Sequence, residues 1–158
     1  RGVPLAPWRA VVTLDGARSA MERFGGACVL KPATRRGPAA DVRVAASADE
    51  LEAAWQAFGC AGDRVCCVVE QRLDVDAELS VVVARTPAGG LAVYPAAESR
   101  RGDRGGAPRL LWSVLPAGGP APHARKAERL AAWVAGRLRL EGLLAVELFL
   151  LTDGRLVV

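Results

Sequence analysis

The chain has 158 residues, 51% of them hydrophobic and 24% charged, the size and composition of a globular unit that buries a core, which excludes a chain disordered by composition. Its +4 charge, from 21 basic and 17 acidic residues, is a mild bias. The basic clusters Arg35-Arg36 and Arg100-Arg101-Arg104-Arg109 lack the interleaved aromatics of a single-strand nucleic-acid platform, so anionic small molecules such as phosphates fit at least as well.

Residues Pro4 to Trp8 read as an extended lead-in and Arg9-Ala-Val-Val-Thr13 as a short strand. Asp15 opens a predicted helix through Phe24, ended by Gly25-Gly26. A buried strand, Ala27-Cys-Val-Leu-Lys31, follows and delivers Lys31 at its end. Pro32 to Asp41, rich in Pro, Gly, Ala and Arg, reads as a loop, and Val42-Arg-Val44 as a brief strand. Ser47 with Glu50 forms a capping box, after which Leu51, Ala54, Trp55 and Phe58 fall on one helical face, and Gly59 ends that helix. Val65 to Glu70 is a strongly apolar strand. Glu78 to Arg85 and Leu91 to Tyr94 make a hairpin through Pro87-Ala-Gly-Gly90, whereas polar, glycine-rich Arg100 to Pro108 is expected to be a mobile loop. Ala117 to Pro122 reads as a linker, Ala124 to Leu140 as a helix with Leu130, Val134 and Leu138 at helical spacing, and Gly142 to Val158 as a final hairpin turning at Thr152-Asp153-Gly154. This order predicts an α+β fold and not a doubly wound parallel sheet.

Aromatics are only 5%, so the core is expected to be aliphatic, with Trp8, Trp55, Trp112 and Trp133 as its large anchors. Four cysteines, at 28, 60, 66 and 67, show no C-x-x-C spacing, and there is one histidine, which argues against an ordinary zinc site. The cysteines are expected as reduced thiols of a cytoplasmic protein. No signal peptide is visible and no apolar run reaches the ~18 residues of a membrane helix, so no membrane partner is expected. The chain begins at Arg1 and not Met, and stops in mid-strand, which reads as a piece of a longer protein.

Glu147 lies inside the apolar run Gly142 to Leu151, and an ionised carboxylate costs several kcal/mol to bury without a partner. It is therefore either a metal ligand or a residue facing water from an edge strand. Lys31, at a strand end, can hold a phosphate as a point charge. Glu70 closes one strand and Glu78 opens the next, bracketing a short connection that can serve as a hinge reading an adenine edge with its backbone and a ribose with a carboxylate. The plain alternative is a solvated lysine and a solvated acidic loop, and Asp74 and Asp76 are read as solvation.

Taken in order, these elements resemble the ATP-grasp fold and, more narrowly, the 5-(carboxyamino)imidazole ribonucleotide synthetases of purine biosynthesis. The resemblance rests on Gly2-Val-Pro-Leu-Ala-Pro7, Val29-Leu-Lys31, Glu70-Gln71, Glu78 to Arg85, Val93-Tyr-Pro95 with Glu98, Gly142 to Phe149 and the Asp153-Gly154 turn. It implies two α+β subdomains with ATP held between them, a small lid-like one over residues 1–68 and a larger one, cut short, over 69–158. It implies that Lys31 contacts ATP phosphate, that Glu70, Gln71, Arg72 and Leu73 form the adenine hinge, that Glu78 takes the ribose, that Arg101 lies where the family handles phosphates, and that Glu147 binds magnesium. The implied activity is that of an ATP-dependent carbon–nitrogen ligase: bicarbonate is activated as carboxyphosphate, and the amine of aminoimidazole ribonucleotide captures the carboxyl group. A homodimer is implied as well.

Three departures qualify the resemblance. The family's glycine-rich phosphate loop, Gly-Tyr-Asp-Gly-Lys-Gly-Gln, is replaced by Arg35 to Arg43, where Pro38 removes an N–H and the alanines lack glycine's backbone freedom. Arg35, Arg36 or Arg43 would have to supply the missing charge. Arg101 stands about where the family has a histidine. The family's second metal position, an Asn-Glu pair, would follow Val158, so this stretch alone is expected not to turn over. A degenerate ATP-grasp module that binds or scaffolds without catalysis, and an ATP-grasp ligase with another substrate, are the alternatives.

Overall fold

Along Cys28-Val-Leu-Lys-Pro32 buried residues alternate with half-buried ones, and that period of two gives the strand one face for a core and one face left open. The computed structural model describes residues 2–33, 42–60, 65–103, 108–119 and 121–158, with the backbone alone at 101, 103, 108, 109 and 121. The chain divides into two units, Leu5–Leu73 and Asp74–Val158 together with the residues up to Pro4.

The first unit runs β1 (Trp8–Val11), α1 (Leu14–Arg23), β2 (Cys28–Pro32), β3 (Arg43–Ala45), α2 (Ala48–Ala57) and β4 (Cys67–Gln71). Its four strands form an antiparallel sheet in the order β1-β4-β2-β3. Thr13 caps α1, its hydroxyl accepting from the Gly16 amide at 3.1 Å. Ser47 caps α2 in the expected box: its Oγ accepts from the Glu50 amide at 3.2 Å, and Glu50 Oε2 reaches back to the Ala46 amide at 2.7 Å. Both helices lie on one face of the sheet, where Ala17, Ala20, Leu51 and Trp55 pack with Cys28, Leu30, Cys67 and Val69. Each large aliphatic side chain buried there contributes roughly 1.5–3 kcal/mol.

The second unit runs β5 (Val75–Arg85), β6 (Leu91–Val93), β7 (Ala97–Asp103), β8 (Pro108–Val114), α3 (Ala121–Arg137), β9 (Gly142–Leu151) and β10 (Leu156–Val157). The strand order is β10-β9-β5-β7-β8, with β6 also paired to β5. Leu79, Val81, Val83, Val146, Leu148 and Leu150 face Ala127, Ala131, Val134 and Ala135 of α3 in one core. The small side chains of the helix allow it to lie close on the sheet. No helix among the described residues is long and apolar enough to cross a membrane.

Several expectations are corrected. The segment Arg100 to Pro108, read as a loop, belongs at both ends to strands: β7 and β8 pair from Glu98↔Val114 to Asp103↔Pro108, with a bulge between Arg100 and Arg101. These strands lie at the outer side of the sheet, where polar side chains cost little, so composition hid them. Helix α3 starts at Ala121, with Pro122 in its first turn, where the missing N–H has no helical partner to lose. Leu138, expected on its apolar stripe, is 64% exposed, and the buried stripe is mostly alanine. Of the four tryptophans only Trp55 belongs to a core. Trp8, Trp112 and Trp133 stand out on the surface.

The four thiols are not all free. Cys60, after the end of α2, and Cys66, before β4, form a disulfide across a Cα separation of 5.4 Å, a spacing that such a bond accepts. Cys28 and Cys67 remain free and fully buried. Burial pushes both thiols up, from 9.0 to about 11, and for Cys67 the nearby Cys28 adds to the effect. The folded state thus favours the protonated thiols. Above pH 9 an unfolded chain releases their protons while the folded one keeps them, so folding stability should fall as the pH rises from about 9 to about 11. Denaturant titrations of the wild type and of Cys28→Ala with Cys67→Ala across this window check it: the alkaline loss should be smaller in the double variant.

Each of the three helices is followed by a left-handed residue whose amide donates to the carbonyl three positions back, and in one of them that residue is not glycine. After α1 the amide of Gly25 donates to Glu22 and that of Gly26 to Met21, and after α2 the amide of Gly59 donates to Gln56. Gly25 and Gly59 have φ of 88° and 63°. After α3 the same motif is built by Arg139 and Leu140, whose amides donate to Gly136 and Ala135, yet the left-handed position, φ 49°, holds an arginine. A side chain there costs about 1 kcal/mol. Arg139→Gly is therefore expected to stabilise the unit by up to about 1 kcal/mol in denaturant unfolding.

Candidate nucleotide site

The open faces of the two sheets carry the candidate residues. In the first unit the register pairs Val29 with Glu70 and Lys31 with Val68, so Lys31 and Glu70 share the face opposite the helices. Their side chains meet diagonally across the strands: Lys31 Nζ lies 2.7 Å from Glu70 Oε2. The row through Glu70 continues to Trp8 on β1 and, through Val29, to Val44 on β3. Trp8 is 56% and Val44 53% exposed. This face is thus a largely apolar platform bearing one ion pair, suited to a flat ring and an anionic group. Sequence reading assigned Trp8 to the core. Strand alternation was the available signal, since Val11 is buried and Trp8 lies three positions away, on the other face.

After Glu70 the chain passes through Gln71, Arg72 and Leu73 to β5. The amide of Gln71 donates to the Pro7 carbonyl at 2.8 Å and that of Arg72 to the Ala27 carbonyl at 3.4 Å. Among these three it is the Leu73 amide that makes no bond within the described residues. Asp74 and Asp76, read as solvation, are exposed, and their carbonyls accept from the Thr152 amide and the Arg100 guanidinium.

In the second unit the register sets Ser80 opposite Glu147 and Glu78 opposite Phe149 on β9 and Ser99 on β7. Glu78, Ser80 and Glu147 therefore share the face away from α3. Glu147 is exposed, so its carboxylate bears no burial cost. β10 pairs β9 only at Phe149 and Leu150, so at Glu147 β9 is paired on one side alone, with β5, among the described residues, and the water-facing edge position that the sequence left open is the one the exposed carboxylate occupies. Ser99 Oγ and Ser113 Oγ, 3.1 Å apart, continue the Glu78 row across β7 and β8. These serines and Ser80 were missed in the sequence, although the spacing of Glu78 and Ser80 by two marks one strand face.

The remaining expected residues do not join these clusters. Arg43 pairs with Leu30, which puts it on the helix side of the sheet and away from Lys31. Arg35, Arg36 and the rest of the expected phosphate loop to Asp41 lie outside the described residues. The backbone of Arg101 pairs with Leu110, while its side chain is outside the description.

No group of three or more His, Cys, Asp or Glu side chains placed to hold a metal occurs among the described residues. Glu147, with Glu78 diagonally across the strands, offers carboxylate oxygens only. That donor set fits magnesium, which takes one or two carboxylates and completes its shell with waters and phosphate oxygens, and it does not fit zinc.

The ATP-grasp domain family matches residues 1–158, and the chain belongs to that family. More narrowly, it is similar to N5-carboxyaminoimidazole ribonucleotide synthase of Mycobacterium bovis, with 42% identity over 99 residues, 63% of this chain and 22% of the relative. It is also similar to the formate-dependent phosphoribosylglycinamide formyltransferase of Xanthomonas axonopodis pv. citri, with 29% identity over 156 residues, 96% of this chain and 37% of the relative. Among solved structures, the ADP complex of an N5-carboxyaminoimidazole ribonucleotide synthetase matches with a TM-score of 0.83 and 29% identity, covering 99% of this chain and 39% of that one. The chain thus spans from about a fifth to two fifths of the length of these proteins. The α+β expectation holds for the fold, with antiparallel sheets in both units.

Proposed function

We propose that this chain is the ATP-binding part of an ATP-dependent carbon–nitrogen ligase that carboxylates aminoimidazole ribonucleotide with bicarbonate, in purine biosynthesis. The observation that carries the reading is the placement of Lys31 and Glu147 on the helix-free faces of their sheets, in a chain that belongs to the ATP-grasp family along its whole length. Lys31 holds an ATP phosphate as a point charge. The Glu70–Leu73 backbone takes the adenine, with the Leu73 amide as its donor, and Glu78 takes the ribose hydroxyls. Arg101 belongs to the phosphate-handling set. Glu147 would hold magnesium, which when bound neutralises the charge on the triphosphate during phosphoryl transfer.

In this reading an oxygen of bicarbonate attacks the γ-phosphorus and ADP leaves, giving carboxyphosphate. The substrate amine then attacks the carboxyl carbon, forming a C–N bond, and phosphate departs. We place the protein in the cytoplasm and expect a homodimer, both on resemblance alone. A second reading, an ATP-grasp ligase acting on the amine of another ribonucleotide with another one-carbon acid, is favoured by the similarity to the formate-dependent formyltransferase over 96% of the chain.

Calorimetric titration of the full-length protein with ATP, with and without magnesium, tests the nucleotide site. Magnesium-dependent binding is expected, and its absence would leave a degenerate module in place of a ligase. Phosphate release with aminoimidazole ribonucleotide plus bicarbonate, against phosphoribosylglycinamide plus formate, separates the two ligase readings.

A further inference from the structure

Glu70 sits in the hinge segment, yet its carboxylate is turned to Lys31. Nζ and Oε2 are 2.7 Å apart, and the carboxylate is the more recessed partner, 23% exposed against 43% for the lysine. A lysine has three donors on a flexible stem. One of them is used by Glu70, which leaves the others to point away from the sheet over a face otherwise lined by Val29, Val68 and Trp8. A carboxylate has no proton to offer a phosphate and repels it, so Glu70 does not serve the anion directly. What it does is hold the ammonium in one place before the anion arrives, and so remove part of the ordering cost of binding.

We propose that the Glu70 carboxylate positions Lys31, acting on nucleotide phosphate through the lysine, and that this side chain, as distinct from the Glu70 backbone, makes no contact of its own with the nucleoside. The proposal rests on the reading of Lys31 as a phosphate ligand given above. Two consequences separate it from the alternatives. A residue acting only through Lys31 has nothing left to do once the lysine is gone, and it is indifferent to a ligand without phosphate. A carboxylate that touched adenine or ribose would matter for adenosine as much as for ATP, whereas one that merely repelled the anion would, on removal, tighten ATP binding.

The test is the affinity of the full-length protein for ATP and for adenosine, in the wild type, Glu70→Ala, Glu70→Gln, Lys31→Ala and the double variant Lys31→Ala with Glu70→Ala, with thermal unfolding as a check of folding. Glu70→Ala should weaken ATP by up to about tenfold, the cost of ordering one long side chain, and leave adenosine unchanged. Glu70→Gln, which keeps an acceptor of the same length, should stay within about threefold of the wild type for ATP. The double variant should bind ATP no more weakly than Lys31→Ala alone. Equal losses for ATP and adenosine in Glu70→Ala, multiplying losses in the double variant, or tighter ATP binding in Glu70→Ala would each overturn the proposal. A different result, full ATP affinity in Lys31→Ala or no ATP binding in the wild type, would overturn the phosphate role of Lys31 itself and the positioning role with it.

Discussion

Glu147→Gln in the full-length protein is expected to lower ATP turnover by at least about a hundredfold, the scale on which one group stabilising transition-state charge is worth, while the fold stays intact. The substitution keeps size and shape and removes one negative charge from a position that is already exposed on β9. Its pairing partner is the backbone of Ser80, which glutamine serves equally well, so unfolding free energy should change by less than about 0.5 kcal/mol. A carboxylate at this point of an antiparallel sheet has no structural debt to settle, since its neighbours on the buried face, Val146 and Leu148, carry the packing against α3. The effect of the variant should therefore appear in the dependence on magnesium: a higher metal concentration needed for half-maximal binding of ATP, with metal-free nucleotide binding little altered. Turnover equal to the wild type at every magnesium concentration would remove Glu147 from the site.

Much of the fold was legible because its signals are local. The Ser47–Glu50 box, the terminating Gly25 and Gly59, and the hairpin around Thr86 to Gly90 are written within a few residues of one another, and each stands where the sequence put it. What escaped reading depends on neighbours far along the chain. Strands β7 and β8 are rich in Arg, Gly and exposed Leu, a composition that resembles a loop until β5 supplies the ladder for Glu78, Leu79 and Ser80 to pair with Ser99, Glu98 and Ala97. Whether a tryptophan is core or surface depends on what covers it, and α2 carries Trp55 onto the sheet while none of the described residues of its own unit buries Trp8. The partner of Cys60 likewise could not be taken from spacing alone.

The candidate residues show the same division. Lys31, Glu78 and Glu147 were visible as charged residues in apolar strands, a pattern that asks for a reason. The meeting of Lys31 with Glu70 was not, because it depends on β2 and β4 pairing antiparallel in the register that sets Val29 against Glu70. A shift of that register by one residue would have sent either side chain into the helix-covered face, where Leu30 and Val69 are wholly buried and an unpaired charge would cost several kcal/mol.

Lys31→Ala is the second substitution with a large expected effect. A charge-assisted hydrogen bond to phosphate is worth about 1.5–3 kcal/mol, so ATP affinity should fall by roughly ten- to a hundredfold, and turnover should be lost with it, because the lysine is the described cation on the open face of the first sheet. The cost to folding should be small by comparison. Both partners of the ion pair are partly exposed, which limits its net worth to about 1 kcal/mol or less, and Glu70, left without its ammonium, can turn to water. Affinity and stability therefore separate in this variant, in contrast to a core truncation such as Leu148→Ala, which should cost about 2–5 kcal/mol of stability in a side chain that is 1% exposed. Lys31→Arg sharpens the assignment, since the guanidinium keeps the charge but spreads it over a planar fork: partial recovery of ATP affinity would mark a role for charge at this position, and ATP affinity unchanged in both variants would place the phosphate elsewhere.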